Sequence, residues 1–129
     1  MRLLLKTTWT GTRVSGIHEQ MKLVSDNVRN YTKTPASDPS PFGSAWDVLW
    51  LGHCGEMTEP DTERLEYYDD SLMATEDYAG FSKKFLVAQD HRSVQKLAMT
   101  MCTFSCGISR RGARSILKTL SSGQDEALT

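Results

Sequence analysis

The chain has 129 residues, 15 Lys and Arg against 16 Asp and Glu, and a formal net charge of -1. That length fits one domain rather than two, and a hydrophobic fraction of 39% can fill a core, which excludes a wholly disordered chain. The balanced charge argues against a general nucleic-acid binder, whose affinity rests on many phosphate-neutralising cations, and no stretch approaches the roughly 20 apolar residues of a membrane helix.

The first apolar run is only Leu3 to Leu5, short of the roughly 7–15 residues in the core of a signal peptide. It reads as a strand, and the chain is expected to carry no export signal. Residues 15–30 read as a helix. Ser15 can cap it, and Ile17, Met21, Val24 and Val28 recur on one face. Asn30-Tyr31-Thr32 fits the N-glycosylation pattern, which matters only in a secretory compartment. Residues 31–44, with Pro35, Pro39, Pro41 and Gly43, read as a loop. Trp46 to Leu51 is aromatic and β-branched and stops at Gly52. Its near-continuous apolarity predicts a strand buried on both faces inside an α/β sheet.

Charge then becomes uneven. Glu56 to Asp77 holds nine acids and one base, Arg64, while Ala79 to Lys118 holds eight bases and one acid, Asp90. The acidic stretch reads as a solvated loop over 56–80, or as an acidic loop folding near a basic floor that faces an anionic ligand. Phe85 to Ala88 and Thr100 to Ile108 are further strand candidates. Ser109 caps a final helix from about Arg110 to Leu120, with Ala113, Ile116, Leu117 and Leu120 as its apolar positions and Gly123 to end it. The order of elements predicts an α/β fold.

Several residues carry possible chemistry. Gly52-His53-Cys54-Gly55-Glu56 follows the buried strand, and ligands in open α/β sheets bind beyond the carboxyl ends of strands. A tight turn with a packed Cys is the plainer reading. Arg110 and Arg111 open a helix directly after a strand, where the helix dipole and two guanidinium groups suit phosphate or carboxylate; the alternative is solubilising Arg on an exposed turn. Asp125 and Glu126 lie beyond that helix and could serve as a general base, hold a cation or simply be solvated. The three cysteines, Cys54, Cys102 and Cys106, leave at least one thiol unpaired. A zinc site from His53 and these cysteines is disfavoured, because Cys102 and Cys106 on one strand lie roughly 13 Å apart. A disulfide from Cys54 to either later Cys fits an oxidising compartment. His53 and Cys54 make a poor nucleophilic pair, since neighbours on an extended chain point apart.

Three segments together resemble glycosyltransferase family 25, and its fungal members most. They are Trp46 to Gly55, Cys102-Thr103-Phe104 leading through Ser109-Arg110-Arg111-Gly112-Ala113 into Ile116-Leu117, and Gln124-Asp125-Glu126-Ala127-Leu128. His18-Glu19-Gln20-Met21 is similar to the helix after that family's metal-binding segment. The resemblance implies a GT-A fold, a Rossmann-like α/β sheet, present here as a single incomplete domain over 1–129. It implies transfer of a sugar from a nucleotide sugar, often UDP-galactose, to a hydroxyl of a glycan or protein acceptor, commonly with Mn²⁺. It makes Asp125 the candidate base or active-site acid, has Gly52, His53 and Glu56 line the cleft floor, and counts Arg110 and Arg111, near the start of the final helix, with them among the substrate-binding residues. For eukaryotic relatives it implies the ER or Golgi lumen.

Two departures shape the expectation. Where the family carries Asp-x-Asp, this chain reads Leu5-Lys6-Thr7-Thr8-Trp9-Thr10-Gly11-Thr12, without an acid, and Thr and Lys do not bind Mn²⁺ as carboxylates do. The strands that precede that motif in the family have no counterpart in the sequence. The chain thus resembles the second half of the family domain, a fragment or a degenerate copy, with Asp69-Asp70 as a conceivable substitute source of carboxylates. Two other functions compete with the transferase: a non-catalytic binding module on the same scaffold, and an unrelated α/β domain that binds anions through Ser109, Arg110 and Arg111.

Overall fold

The computed structural model describes residues 4–6, 16–52, 55–58, 61–69, 90–101 and 105–122. They form, in chain order, β1 (Leu4–Lys6), α1 (Ile17–Tyr31), β2 (Val48–Gly52), β3 (Gly55–Met57), β4 (Arg64–Tyr68), β5 (His91–Lys96), β6 (Met99–Met101), β7 (Ser105–Ile108) and α2 (Arg110–Ser121). The fold is mixed α/β. Five strands make one sheet in the order β4-β5-β1-β2-β7, and β3 pairs with β6 in a second, two-stranded sheet. β1 and β2 run parallel, with Leu5 opposite Leu49, so β1, α1 and β2 form a βαβ crossover, the connection parallel neighbours require. The other pairings are antiparallel.

β2 has a strand on each side, as its apolar sequence predicts. Val48 and Leu49 are buried, and Trp50 and Leu51 are half-buried. α1 packs against β4 and β5. The buried side of α1 is Gln20, Val24 and Val28, residues four apart that fall on one stripe. Val24 and Val28 meet Trp46, Leu49 and Val94 in the core, with Tyr31, Phe42, Leu51 and Tyr67 packed around them. Each buried aliphatic side chain contributes about 1.5–3 kcal/mol.

The predicted helix 15–30 is found one or two residues later in the chain. Ser15 lies outside the described residues; the residue flanking the first turn is Gly16, which supplies no side-chain cap. The other end is well closed. Thr32 Oγ1 donates to Val28 O at 2.8 Å, Lys33 N donates to Asn30 O at 3.0 Å and Thr34 N to Arg29 O at 2.9 Å. This is the bonding of a Schellman ending, with Lys33 at φ 52 in the left-handed position usually given to glycine.

The expected loop over 56–80 is corrected by the structure: its described part contributes most of β3 and all of β4. In β4 the residues alternate, with Arg64, Glu66 and Tyr68 exposed and Leu65 and Tyr67 half-buried. Of the acids that suggest a solvated loop, Glu66 occupies the outward half of this period-two pattern, while Asp69, just after the strand, is buried. The expected strand over Thr100–Ile108 divides into β6 and β7, which belong to different sheets. The expected strand Phe85–Ala88 lies outside the described residues.

A polar cluster is closed between α1 and the sheet. The Arg92 guanidinium Nε donates to Asp69 Oδ2, Arg92 Nη2 donates to Gln20 Oε1 at 3.0 Å, and Gln20 Nε2 donates to Asp69 Oδ1 at 3.1 Å. Arg92 is 0% exposed and Asp69 4%. Desolvating such a pair is costly, and mutual hydrogen bonding is what offsets it.

Candidate anion-binding site

The site begins with the loop after α1. Asp38 Oδ1 accepts from Ser40 N at 2.8 Å and Asp38 Oδ2 from Ser44 Oγ at 2.7 Å, the local bonding by which Asp organises a turn. These bonds, the Ser44 hydroxyl first, hold the Asp38 carboxyl below its ordinary range. The Arg29 guanidinium ties the same loop to α1 through Pro35 O at 3.0 Å and Asp38 O at 3.3 Å. Gly43 sits at φ 72, where a Cβ would strike Thr34, so only glycine keeps this turn closed. The loop then delivers Trp46, whose indole Nε1 donates to Phe42 O at 3.0 Å.

The opposite wall is the first turn of α2. Ser109 caps it as predicted: Ser109 Oγ accepts from Gly112 N at 3.0 Å. The turn is anchored to the residue before β2. Ser109 N donates to Asp47 O at 2.9 Å, and Arg111 Nε donates to Asp47 Oδ1 at 2.7 Å. Gly112 lies so close to the Asp47 carbonyl that a Cβ would overlap it. Asp47 is 1% exposed, whereas the Arg111 side chain is 48% exposed.

Between these walls is a cavity of about 440 Å³ lined by Ser40, Gly43, Ser44, Trp46, Ser109, Arg110, Arg111 and Arg114. None of the lining side chains is acidic. Arg111 is committed to Asp47. Arg110 and Arg114 are exposed and have no carboxylate partner among the described residues. One turn apart, they point toward the same side of α2. Two free guanidinium forks, a helix dipole and serine hydroxyls offer an anion both charge and directional donors.

The structure therefore brings Arg110 and Arg111 together but separates them from Gly52. Val48 pairs with Ile108 just before α2, while Gly52, at the other end of β2, pairs with Ser105. The four residue steps of β2 span roughly 13 Å. Glu56 lies in β3 opposite Thr100. His53 and Asp125 lie outside the described residues. The sequence reading missed Ser40, Ser44 and Arg114 as lining residues. Arg114 was detectable, since it stands four residues from Arg110 on the same helix; the serines became part of the site only through the turn that Asp38 builds.

The residues described do not form a Mn²⁺ site. Among them no three His, Cys, Asp or Glu side chains converge, and Asp69, a conceivable substitute ligand, is buried against Arg92 and Gln20. Cys106 is an exposed free cysteine; Cys54 and Cys102 lie outside the described residues. Among the described residues no helix is long and apolar enough to cross a membrane.

No family model, curated protein or solved structure matches the chain significantly. The resemblance to glycosyltransferase family 25 therefore rests on the motifs quoted above.

Proposed function

We propose that the chain is the acceptor-side portion of a glycosyltransferase with a Rossmann-like GT-A scaffold, which moves a sugar, galactose from UDP-galactose foremost, to an acceptor hydroxyl. What carries this reading is the position of the Trp46–Gly52 motif. Trp46 belongs to the buried core, and β2 is an interior strand that runs parallel to β1. Its carboxyl end at Gly52 opens where α/β sheets hold ligands. In this scheme Asp125 takes the proton of the acceptor hydroxyl as its oxygen attacks the sugar carbon and the nucleoside diphosphate leaves. Turnover of UDP-galactose, measured with and without added Mn²⁺, tests the reading. Loss of turnover in Asp125→Ala supports the role given to Asp125, and unchanged turnover removes it. This acceptor-side portion, as an inactive fragment, is expected to turn over weakly or not at all on its own, so the deciding measurement is a calorimetric titration with Mn²⁺ and UDP: no heat from either overturns the transferase reading in favour of a non-catalytic module.

A second reading has its own observation. The arginine-lined cavity lies at the amino end of β2, away from Gly52, and favours a non-catalytic module that binds a phosphate or carboxylate. Here phosphate binding survives Asp125→Ala and falls about tenfold or more when Arg110 and Arg114 are both changed to Ala, since each charged hydrogen bond is worth about 1.5–3 kcal/mol. Phosphate binding that is insensitive to that pair would remove this reading.

A further inference from the structure

Beside the arginines that line the cavity, α2 turns residues to solvent that the cavity does not use. At roughly 100° per residue, Ala113, Ile116, Leu117 and Leu120 fall in one arc, and Arg110, Arg111, Arg114 and Lys118 fall in the adjoining arc. The twelve residues of α2 contain those four cations and no acid. Gly112 is buried against Asp47, which fixes the side of the helix that meets the body of the fold. The opposite side therefore carries Leu117, Arg110 and Arg114, flanked by Leu120 and Lys118. Leu117 is 65% exposed and Leu120 51%. Ile108, just before the helix, is 52% exposed.

An apolar arc turned to solvent beside an all-cationic arc has an unusual requirement. Water leaves the leucines unsatisfied, while the interior of another protein would have to desolvate the cations. An anionic lipid surface accommodates both: leucines enter the acyl boundary while Arg and Lys remain among the headgroups, their long stems reaching upward. We infer that α2 lies in the plane of an anionic membrane surface, with Leu117 and Leu120 inserted and Arg110, Arg114 and Lys118 against lipid phosphates. The short helix and its four cations make this a reversible attachment. The inference does not rest on the transferase reading, because Leu117, Leu120 and Lys118 do not line the cavity.

The test is co-sedimentation of the full chain with vesicles of phosphatidylcholine alone and of phosphatidylcholine mixed with phosphatidylserine. The expected result is binding to the anionic vesicles only, weakening as salt is raised. Leu117→Ser combined with Leu120→Ser should weaken it about tenfold or more, with helix content by circular dichroism and phosphate binding unchanged. Lys118→Ala should cost about fivefold. No binding to anionic vesicles, equal binding to neutral ones, or binding indifferent to the double leucine variant each overturns the inference. A lipid-free dimer that the same double variant dissociates would also overturn it, in favour of a second copy on this face.

Discussion

Two arginine–aspartate pairs in this fold have opposite characters. Arg92 and Asp69 are buried together and bonded again through Gln20. Arg111 and Asp47 share one bond of 2.7 Å, but the arginine is half in water. The first pair cannot lose a partner without leaving a charge stranded in the interior. The second holds an element in place while keeping a cation at a cavity wall. Identical residue types thus serve packing in one place and ligand access in the other, and what separates them is solvent rather than chemistry.

The contrast can be broken most sharply at the buried pair. Arg92→Ala should cost about 3–5 kcal/mol in urea unfolding, whereas Arg92→Met with Asp69→Leu and Gln20→Leu should recover most of that loss, since an apolar replacement removes both charges. Failure of the triple variant to recover stability would mean that the cluster specifies the fold instead of merely avoiding a penalty. Gly112→Ala comes next. Overlap with the Asp47 carbonyl should cost about 1–3 kcal/mol, more than the about 1 kcal/mol that Ala gains over Gly inside a helix, and it should weaken phosphate binding by moving α2 away from the loop. Arg111→Ala should cost less than Arg92→Ala, about 1–3 kcal/mol, because half of the lost arginine already faced water while the buried Asp47 carboxylate loses this bond; chemical denaturation of the two arginine variants side by side measures the difference.

The smallest effect concerns Asp38. Its carboxyl titrates below the ordinary value of 3.8 in the folded chain, so the fold favours the carboxylate. The stabilisation is complete above pH 3.8 and is lost as pH falls through the lower folded value. Wild-type protein should therefore lose a small increment of stability in that acid window that Asp38→Asn does not lose. Parallel acid profiles for the two proteins would remove the role given to the Ser40 and Ser44 bonds.

Much of this was legible where local chemistry decides. The apolar run of β2, the Pro-rich loop and the Ser109 cap follow from residue types over a few positions. β4 was hidden because charged Arg64 and Glu66 alternate with Leu65 and Tyr67 inside an acidic stretch, and charge density masks a period of two. Gln20 and Arg92 gave no signal, since a polar residue on a helix or strand looks solvated until tertiary packing encloses it. For the site, Arg110 and Arg111 were visible as cations at a helix start. Their distance from Gly52 was not, because it depends on the antiparallel register of β7 on β2, which no local pattern encodes.

β1 has a consequence for how the chain folds. These three residues bond to β2 on one side and to β5 on the other, and among the described strands they alone join the β4–β5 ribbon to the β2–β7 ribbon. Leu5 meets Lys96 across most of the sequence, a closure with a high entropic cost that slows folding. The seam of the sheet is thus its shortest strand and among the last to zip. Amide exchange at Leu5 should report the opening of the two ribbons from each other before either ribbon itself comes apart.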